Sequence, residues 1–370
     1  MRIAFIVPSF GPGGGERVAS LLCNWWAEQG HAVRAITFEA PDAEHHYTLD
    51  ADVTLRQIAS FNRRRNLASS VATNVRRLFR LRAALNDFKP DVIVAFTTEA
   101  NVVALCAAFG LGIPVIVSER NQPDRPGLGA WRRAARRLSY PMAAALVVQT
   151  EAIAEWGRKR FRVPVPVIPN PVHLALALKR SEEASEKLLL AVGRLVRQKG
   201  FDVLISSFAR VAAAHPNWKL GVYGEGPERA ALERQIRSLS MTERISLPGL
   251  SRDIGAAYAA AALFVLPSRF EGYPNVLLEA LATGCPVVAT DCPGATAEIL
   301  QDGRYGVLVP PENVDALASA LDRLMSDETL RAAYSRHAHE AVAPLDVALI
   351  GGRWLDLFEA VHRPGSVRKE

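Results

Sequence analysis

The chain has 370 residues, of which 49% are hydrophobic and 22% are charged, so it has the composition of a globular protein and a length typical of two domains. No apolar run approaches the roughly 20 residues that a membrane-spanning helix needs, since the longest, Val102 to Val117, is interrupted by glycine and proline. The net charge of +6 is uneven, because Met1 to Val172 holds 22 Lys and Arg against 14 Asp and Glu.

The amino-terminal segment predicts a strand followed by a glycine loop. Met1 to Pro8 is apolar and lacks the basic-then-apolar order of a signal peptide, so it is predicted as a buried strand. Gly13 to Gly15 follow and open a helix at Glu16, which permits close approach of a ligand to the backbone. The glycine spacing matches neither a P-loop nor the dinucleotide motif, so a tight strand-to-helix turn stays open as the alternative. Four scattered cysteines lack the spacing of a metal site and indicate reduced thiols in a cytoplasmic protein.

The next two predicted strands, His31 to Phe38 and Val53 to Ile58, enclose an acidic tripeptide. Asp50-Ala51-Asp52 has the D-x-D pattern of metal-dependent sugar transferases. No apolar strand precedes it, so we interpret it as a turn and predict no metal site.

Two basic amphipathic stretches follow in the first half of the chain. Asn62 to Leu85 is predicted as a helix with arginines on one side and apolar residues on another, and Trp131 to Tyr140 repeats this pattern. Such helices are typical of proteins that contact an anionic membrane surface, while the alternative is a pair of surface helices that pack on a sheet. Nucleic-acid binding is disfavoured, because no aromatic residues interleave with the arginines.

Polar residues follow two further predicted strands, Asp91 to Phe96 and Val115 to Val117. The second strand ends in Ser118-Glu119-Arg120-Asn121, at the edge of a parallel sheet where ligands bind. Glu119 and Arg120 either contact a substrate or pair with each other. A strand, Ala144 to Thr150, and a helix, Glu151 to Phe161, precede two prolines around Asn170, which predict a stiff interdomain turn. The polar tract from Leu178 to Glu186 is predicted as a linker.

The second half begins with a strand, Leu188 to Val192, and a basic loop. Arg194 and Lys199 lie in this loop, before a helix that starts at Phe201. An arginine offers a planar fork to phosphate oxygens and a lysine offers a point charge, so the loop predicts an anion-binding crevice. Surface solubility is the alternative for both residues.

The stretch from Pro267 to Pro286, PSRFEGYPNVLLEALATGCP, predicts a loop and a helix between two strands. The first strand is predicted over Ala259 to Leu266, and the helix starts near Pro274. Backbone N–H groups of Gly272 to Val276 then point out of the helix terminus, where phosphate binds. Glu271 and Glu279 flank this terminus with seven residues between them. A nucleoside diphosphate sugar fits this pattern, because its charge lies in the middle and its hydroxyl groups lie at both ends.

This stretch resembles the signature of retaining glycosyltransferases of family four, group 1, which have the GT-B fold. The motif G-R-x4-K-G at Gly193 to Gly200 also matches this family, and the resemblance covers nearly the whole chain. The strand ending Ser118 to Asn121 resembles the endings found in the branch of the family that extends polyprenyl-linked amino sugars. The resemblance implies two doubly wound, Rossmann-like α/β domains that face each other across a cleft. We expect an acceptor-binding domain over 1–172, a nucleotide-sugar-binding domain over 173–346, and a last helix, about 347–361, that packs back onto the first domain.

The resemblance also implies roles for individual residues. Arg194 and Lys199 neutralise the diphosphate, including the charge that grows as the sugar leaves, and Glu271 holds hydroxyl groups of the donor sugar. Glu279 binds the ribose, the backbone near Leu250 meets the base, and the glycine loop faces the donor phosphates and the acceptor. The nucleotide-sugar contacts implied in this way are Gly14, Gly15, Leu250, Gly272, Tyr273, Asn275, Val276 and Glu279.

The resemblance, together with the residues above, therefore implies a metal-independent and cofactor-independent transferase. It moves a hexose or an N-acetylhexosamine from a nucleotide sugar, with UDP as the leading expectation, to a saccharide acceptor linked to polyprenyl diphosphate. We expect a cytoplasmic protein, peripheral at the inner face of the cell membrane, that acts in cell-surface glycan assembly. The alternative is a non-catalytic module that binds a nucleotide sugar and is recruited to the membrane.

Overall fold

A computed structural model describes residues 1–40, 43–58, 67–120, 129–174, 187–251 and 253–362, without the side chains of 67–72 and 74. The chain divides into two compact units: unit 1 comprises Met1–Pro171 with Val347–Glu370, and unit 2 comprises Val172–Asp346. The arginines at 63–65, the predicted helix start at 62, Asn121, the tract 178–186 and the residues after His362 lie outside the described ranges.

Unit 1 is built on a six-stranded parallel sheet in the order β3-β2-β1-β4-β5-β6. The sequence order reverses between β1 and β4, which makes this pair the topological switch point of a doubly wound sheet. The strands are β1 (Arg2–Ile6), β2 (Ala32–Thr37), β3 (Val53–Gln57), β4 (Val92–Phe96), β5 (Val115–Ser118) and β6 (Ala145–Val147). The helices are α1 (Gly14–Glu28), α2 (Leu67–Phe88), α3 (Thr98–Ala108), α4 (Ala130–Ser139) and α5 (Glu151–Arg158), with α13 (Val347–His362) from the other end of the chain.

Unit 2 repeats this architecture with the strand order β12-β11-β10-β7-β8-β9, again all parallel. Its switch point lies between β7 and β10. The strands are β7 (Leu188–Val192), β8 (Lys219–Tyr223), β9 (Ile245–Gly249), β10 (Leu263–Leu266), β11 (Val287–Thr290) and β12 (Val307–Val309). The helices are α6 (Phe201–Val211), α7 (Arg229–Ser238), α8 (Ile254–Ala260), α9 (Asn275–Ala282), α10 (Thr296–Leu300), α11 (Val314–Ser326) and α12 (Glu328–Val342).

The short apolar runs of the sequence are the buried strands of both sheets. Every residue of β4, β5, β10 and β11 is buried, as expected for strands that helices cover on both faces. The strand predicted to begin at Ala259 was placed too early, because Ala259 and Ala260 end α8. Because alanine is apolar but favours a helix, an alanine-rich run can continue from the end of a helix into a strand. The apolar run therefore does not locate the boundary between them. Asp50-Ala51-Asp52 lies at the turn before β3, where the backbone N–H of Val53 donates to the carbonyl of Asp50.

Helix α13 packs on α1 inside unit 1 through aromatic rings. The Trp354 side chain is fully buried, with its ring centre 6.3 Å from that of Trp26, and the ring centre of Phe358 lies 5.1 Å from the Trp26 ring. Trp26 Nε1 donates to the carbonyl of Gly351 at 3.3 Å. This donation occurs where the two helices approach closely, because Gly351 has no side chain.

We predict that Gly351→Ala destabilises the chain and that Gly352→Ala does not. A Cβ atom at Gly351 would overlap the six-membered ring of Trp25, whereas a Cβ at Gly352 would meet no atom within 4 Å. Overpacking of this kind costs about 1–3 kcal/mol, while Gly→Ala on an open helix face gains about 0.5–1 kcal/mol. Denaturant unfolding of both variants measures the difference, and equal midpoints would contradict the tight α1–α13 packing.

Within the residues that the structure describes, no helix combines the length and the apolar character needed to cross a bilayer.

Candidate active site

The loops that flank the switch point of unit 2 carry the two residues predicted as catalytic. Lys199 lies in the loop after β7, and Glu271 lies in the loop after β10. Because β7 and β10 are parallel neighbours, both loops leave the sheet at its carboxyl edge. This edge, at the point where strand order reverses, is where open α/β sheets bind ligands.

Lys199 and Glu271 form a nearly buried ion pair. The distance from Lys199 Nζ to Glu271 Oε1 is 2.6 Å, and their side chains are 14% and 6% exposed. Ser268 Oγ donates to the same oxygen at 2.5 Å. The second oxygen, Oε2, has no hydrogen-bond partner among the described residues. The pair therefore holds Glu271 by one oxygen and leaves the other available to accept a hydrogen bond.

Two glycines allow the loops of this site to approach each other. Gly200 has φ 65°, and a Cβ atom there would overlap the carbonyl oxygen of Pro267. Gly294, in the loop after β11, has φ 142°, and its Cβ would lie 2.5 Å from the carbonyl oxygen of Glu271. The left-handed backbone and the missing side chain are therefore both required at these positions.

Arg269 connects the two loops, a role that the sequence pattern does not predict. Its guanidinium donates to both carboxylate oxygens of Asp202, at 2.9 and 2.8 Å, to Glu312 Oε1 at 2.8 Å, and to the carbonyl of Arg197 at 2.6 Å. The hydrogen bonds that Arg269 donates to Asp202 raise the pKa of Arg269 and lower the pKa of Asp202. Gln198 adds a bond from its Nε2 to the carbonyl of Phe270 at 2.9 Å. This network fixes the backbone beside Lys199 against the backbone beside Glu271.

Helix α9 begins at Asn275, four residues after Glu271, and no side chain caps its amino terminus. The N–H groups of Leu277 and Leu278 donate to the carbonyl of Pro274, and the N–H of Val276 donates to no described group. Gly272 and Val276 are half-buried, as are Asn275 and Glu279. An open helix terminus beside a lysine favours an anion.

The remaining residues predicted in unit 2 lie in loops at the same carboxyl edge of the sheet. The side chain of Arg194, in the loop after β7, is exposed and pairs with no acid among the described residues. Leu250 follows β9 and is exposed. Tyr273 is buried in the loop before α9.

The glycine loop of unit 1 leads into α1, which begins at Gly14 with Gly13 as its N-cap. A Cβ atom at Gly15 would meet no atom within 4 Å, so the packing of the chain does not require glycine there. At Gly13, in contrast, a Cβ would collide with the carboxylate of Glu16. Space therefore remains above the backbone at Gly15.

The residues after β5 have different hydrogen-bond partners and do not form the Glu119–Arg120 pair that was one alternative. Glu119 is buried and accepts from the Tyr140 hydroxyl and from Thr98 Oγ1 at 3.1 Å, with Arg136 Nη1 3.9 Å away. Burial and the Glu119 charge raise the pKa of Tyr140. Arg120 instead donates to Asn170 Oδ1. Glu119 is thus held inside unit 1 by Tyr140, which sequence spacing alone did not indicate.

No group of three or more metal-binding side chains occurs in the described part of the chain.

Comparison with known proteins assigns a domain family to each half. The model of the Glycosyl transferase 4-like domain matches residues 13–173, and that of Glycosyl transferases group 1 matches residues 186–327. A Campylobacter jejuni protein is 29% identical over 363 residues, covering 98% of this chain and 99% of that protein. It is named GalNAc-alpha-(1->4)-GalNAc-alpha-(1->3)-diNAcBac-PP-undecaprenol alpha-1,4-N-acetyl-D-galactosaminyltransferase.

A second relative is longer than this chain. An exopolysaccharide phosphotransferase of Streptomyces coelicolor is 33% identical over 296 residues, which are 78% of this chain but 31% of that protein. The chain therefore spans about a third of this relative.

Solved structures share the fold. Sucrose-phosphate synthase from Thermosynechococcus elongatus has a TM-score of 0.86 at 19% identity and covers 98% of this chain and 100% of its own. HepE of Anabaena, solved in complex with UDP-glucose, has a TM-score of 0.79 at 21% identity and covers 97% and 100%. These likenesses confirm the predicted GT-B class of two doubly wound α/β domains.

Proposed function

The chain belongs to the group 1 glycosyltransferases and is a transferase enzyme, and from this premise we propose that it moves a hexose or an N-acetylhexosamine from a UDP sugar to a lipid-linked saccharide with retention of configuration. The observation that carries the proposal is the Lys199–Glu271 pair at the switch point of unit 2. It places a cation and a carboxylate beside an open helix terminus, which are the groups that a nucleoside diphosphate sugar requires.

In the proposed mechanism, unit 2 binds the donor and stabilises the departing diphosphate. Lys199 and the N–H groups of Gly272 and Val276 at the α9 terminus contact its oxygens, and Arg194 swings onto it from the exposed loop. These fixed charges and dipoles act on negative charge that grows as the glycosidic bond breaks. No metal is needed for this step, because the protein supplies the positive charge.

Glu271 has a positioning and electrostatic role in this proposal. Its Oε1 is already occupied by Lys199 and Ser268, so Oε2 accepts from a hydroxyl group of the donor sugar. Glu279 accepts from the ribose, and the backbone near Leu250 meets the base. The acceptor hydroxyl attacks the anomeric carbon from the face that the diphosphate leaves, so the configuration is retained, and its proton passes to an oxygen of the departing diphosphate.

The acceptor is proposed from the relative that spans the whole chain. That Campylobacter enzyme is named for an undecaprenyl-diphosphate-linked acceptor that carries N-acetylgalactosamine. We assign acceptor binding to unit 1, where Gly15 leaves open backbone in the loop that follows β1, beside Gly14. The shared chemistry is a saccharide carried on a lipid diphosphate in glycan assembly.

A panel of UDP and GDP sugars in a thermal-shift assay tests the donor, because a ligand that binds only the folded state raises its melting temperature. A UDP sugar is expected to give the largest shift, and its transfer to a lipid-diphosphate saccharide is then followed by product analysis. UDP binding without transfer and without donor hydrolysis would instead support a non-catalytic, membrane-recruited module. A chain that binds no nucleotide sugar would contradict both functions.

We also propose that unit 1 contacts an anionic membrane from the cytoplasmic side. On α4, Trp131 and Leu138 are 61% and 79% exposed, and Arg133 and Arg137 are exposed beside them. On α2, Phe79 is exposed in the same way. Exposed apolar groups among arginines match the boundary between acyl chains and anionic headgroups.

Binding to vesicles of phosphatidylglycerol and phosphatidylcholine is predicted to fall about tenfold or more in the Trp131→Ala/Leu138→Ala variant, since each apolar side chain contributes about 1.5–3 kcal/mol when buried. Leu349→Ala is the control, because Leu349 is an exposed leucine on α13. Co-sedimentation at low and high salt measures the effect. Equal binding of the double variant and the control would place the membrane contact elsewhere.

A further inference from the structure

The carboxyl edge of β4, β5 and β6 in unit 1 holds buried polar atoms without hydrogen-bond partners. Gln149 is 1% exposed, and neither its Oε1 nor its Nε2 is paired. Asn101 Oδ1 and Thr97 Oγ1 are also buried and unpaired. Buried polar groups in proteins are nearly always satisfied, so a cluster of exceptions at one sheet edge requires an explanation.

Arg120 adds a positive charge to this edge. It donates to Asn170 Oδ1 and, at 3.4 Å, to Ser118 Oγ, and its Cζ lies 4.1 Å from the ring centre of Phe96. All these partners are neutral, and burial lowers the pKa of Arg120 to about 9. A partly buried cation with only neutral neighbours is unfavourable unless an anion joins it.

The carboxylate of the neighbouring residue, Glu119, has partners other than Arg120. It accepts from Tyr140 and Thr98 and lies 3.9 Å from Arg136. Arg120, at the end of β5, forms no ion pair with an acid among the described residues.

The strand register places Arg120 and Gln149 at the same edge of two neighbouring strands. β5 and β6 pair in parallel with Ser118 opposite Val147, and the N–H of Glu119 continues the ladder by donating to the carbonyl of Val147. Arg120 and Gln149 each follow this register pair by two residues, at the carboxyl ends of neighbouring strands. The amino terminus of α3, whose N-cap Thr97 makes no side-chain capping bond, lies at the end of neighbouring β4.

We propose that Arg120 and Gln149 form an oxyanion subsite of unit 1, which takes a carboxylate or a phosphate group carried by a substrate. The guanidinium fork and the amide N–H group donate to the anion, and the α3 dipole favours its charge. The inference rests on the proposed function for the identity of the molecule that carries the anion. It adds a second anion site to the one assigned to the donor diphosphate in unit 2.

Isothermal titration with paired probes tests this subsite on the whole chain, after saturation with UDP to occupy the nucleotide site of unit 2. Geranyl diphosphate is compared with geraniol, and methyl glucuronide with methyl glucoside. At least one anionic probe is expected to bind about 10- to 100-fold more tightly than its neutral partner, the range for hydrogen bonds to a charged group. Preference for the diphosphate would identify the acceptor's phosphate as the source, and preference for the glucuronide would identify a sugar carboxylate.

Arg120→Gln and Gln149→Leu are expected to reduce this preference, by 10-fold or more for Arg120→Gln, while Arg120→Lys retains part of it. The matched control is Arg2→Gln, since Arg2 lies 4.8 Å from the Phe88 ring centre and donates to a neutral carbonyl at the opposite edge of the same sheet. Equal affinity of wild type for all charged and neutral probes, or an undiminished preference in folded Arg120→Gln, would overturn the subsite. Failure of the initial UDP titration would instead contradict the proposed function, while an anion preference abolished in Arg120→Gln would still support the subsite.

Discussion

Lys199→Ala is expected to lower the turnover number by about 10²–10³-fold while the chain remains folded. Loss of one preorganised donor to developing negative charge has an effect of this size in other enzymes, about 2.7–4 kcal/mol. Lys199 is nearly buried against Glu271, so its ammonium is held in place before the diphosphate arrives. The substitution also leaves the Glu271 carboxylate without its cation, which adds to the loss because a buried charge without a partner is unfavourable. Steady-state transfer of the sugar identified in the nucleotide-sugar panel gives the measurement.

Arg197→Ala supplies the control for Lys199→Ala. Arg197 lies in the same short helical turn, its side chain is exposed, and only its backbone carbonyl takes part in the Arg269 network. Both substitutions remove one positive charge from the same loop. If Lys199 acts on the diphosphate, Arg197→Ala stays within a fewfold of wild type. A fall of the same size in both variants would mean that loop charge in general, and not the Lys199 position, supports transfer.

Most of the fold can be predicted from the sequence, because each buried parallel strand corresponds to a short apolar run. Leu188 to Val192 is predicted with the bounds that the structure has, and the other predicted strands differ from the observed ones by a few residues. The boundary at Ala259 failed because alanine fits both the end of α8 and a buried strand. The loops of the candidate site can be predicted in the same way, since each lies after an apolar run and before a helix.

The partners of the site residues do not follow from the sequence, because they come from distant segments. Arg269 stands within the quoted motif, yet its role depends on Asp202 and Glu312, which are 67 and 43 residues away. Tyr140 reaches Glu119 from the end of a helix whose arginines dominate its sequence pattern. Periodicity places such residues on an element but does not say which side chains meet.

Glu271→Ala is expected to lower turnover by about 10²-fold or more, because the sugar loses the carboxylate that orients it and Lys199 loses the group that positions it. Ser268→Ala is expected to have a smaller effect, about tenfold, since it frees Glu271 Oε1 from one of two donors and leaves the charge in place.

The double variant Lys199→Ala/Glu271→Ala tests whether the two residues contribute to catalysis as one unit or independently. Residues that act as one unit give losses far from additive, so the double variant should be at most a few-fold slower than the worse single variant. Arg229→Ala is the control for the loss of an ion pair elsewhere in unit 2. Arg229 pairs with Glu225 and Glu233, and not with Lys199 or Glu271. Strict additivity of the two losses would contradict the pair as a catalytic unit. Wild-type-like transfer by Glu271→Ala would remove Glu271 from the mechanism altogether.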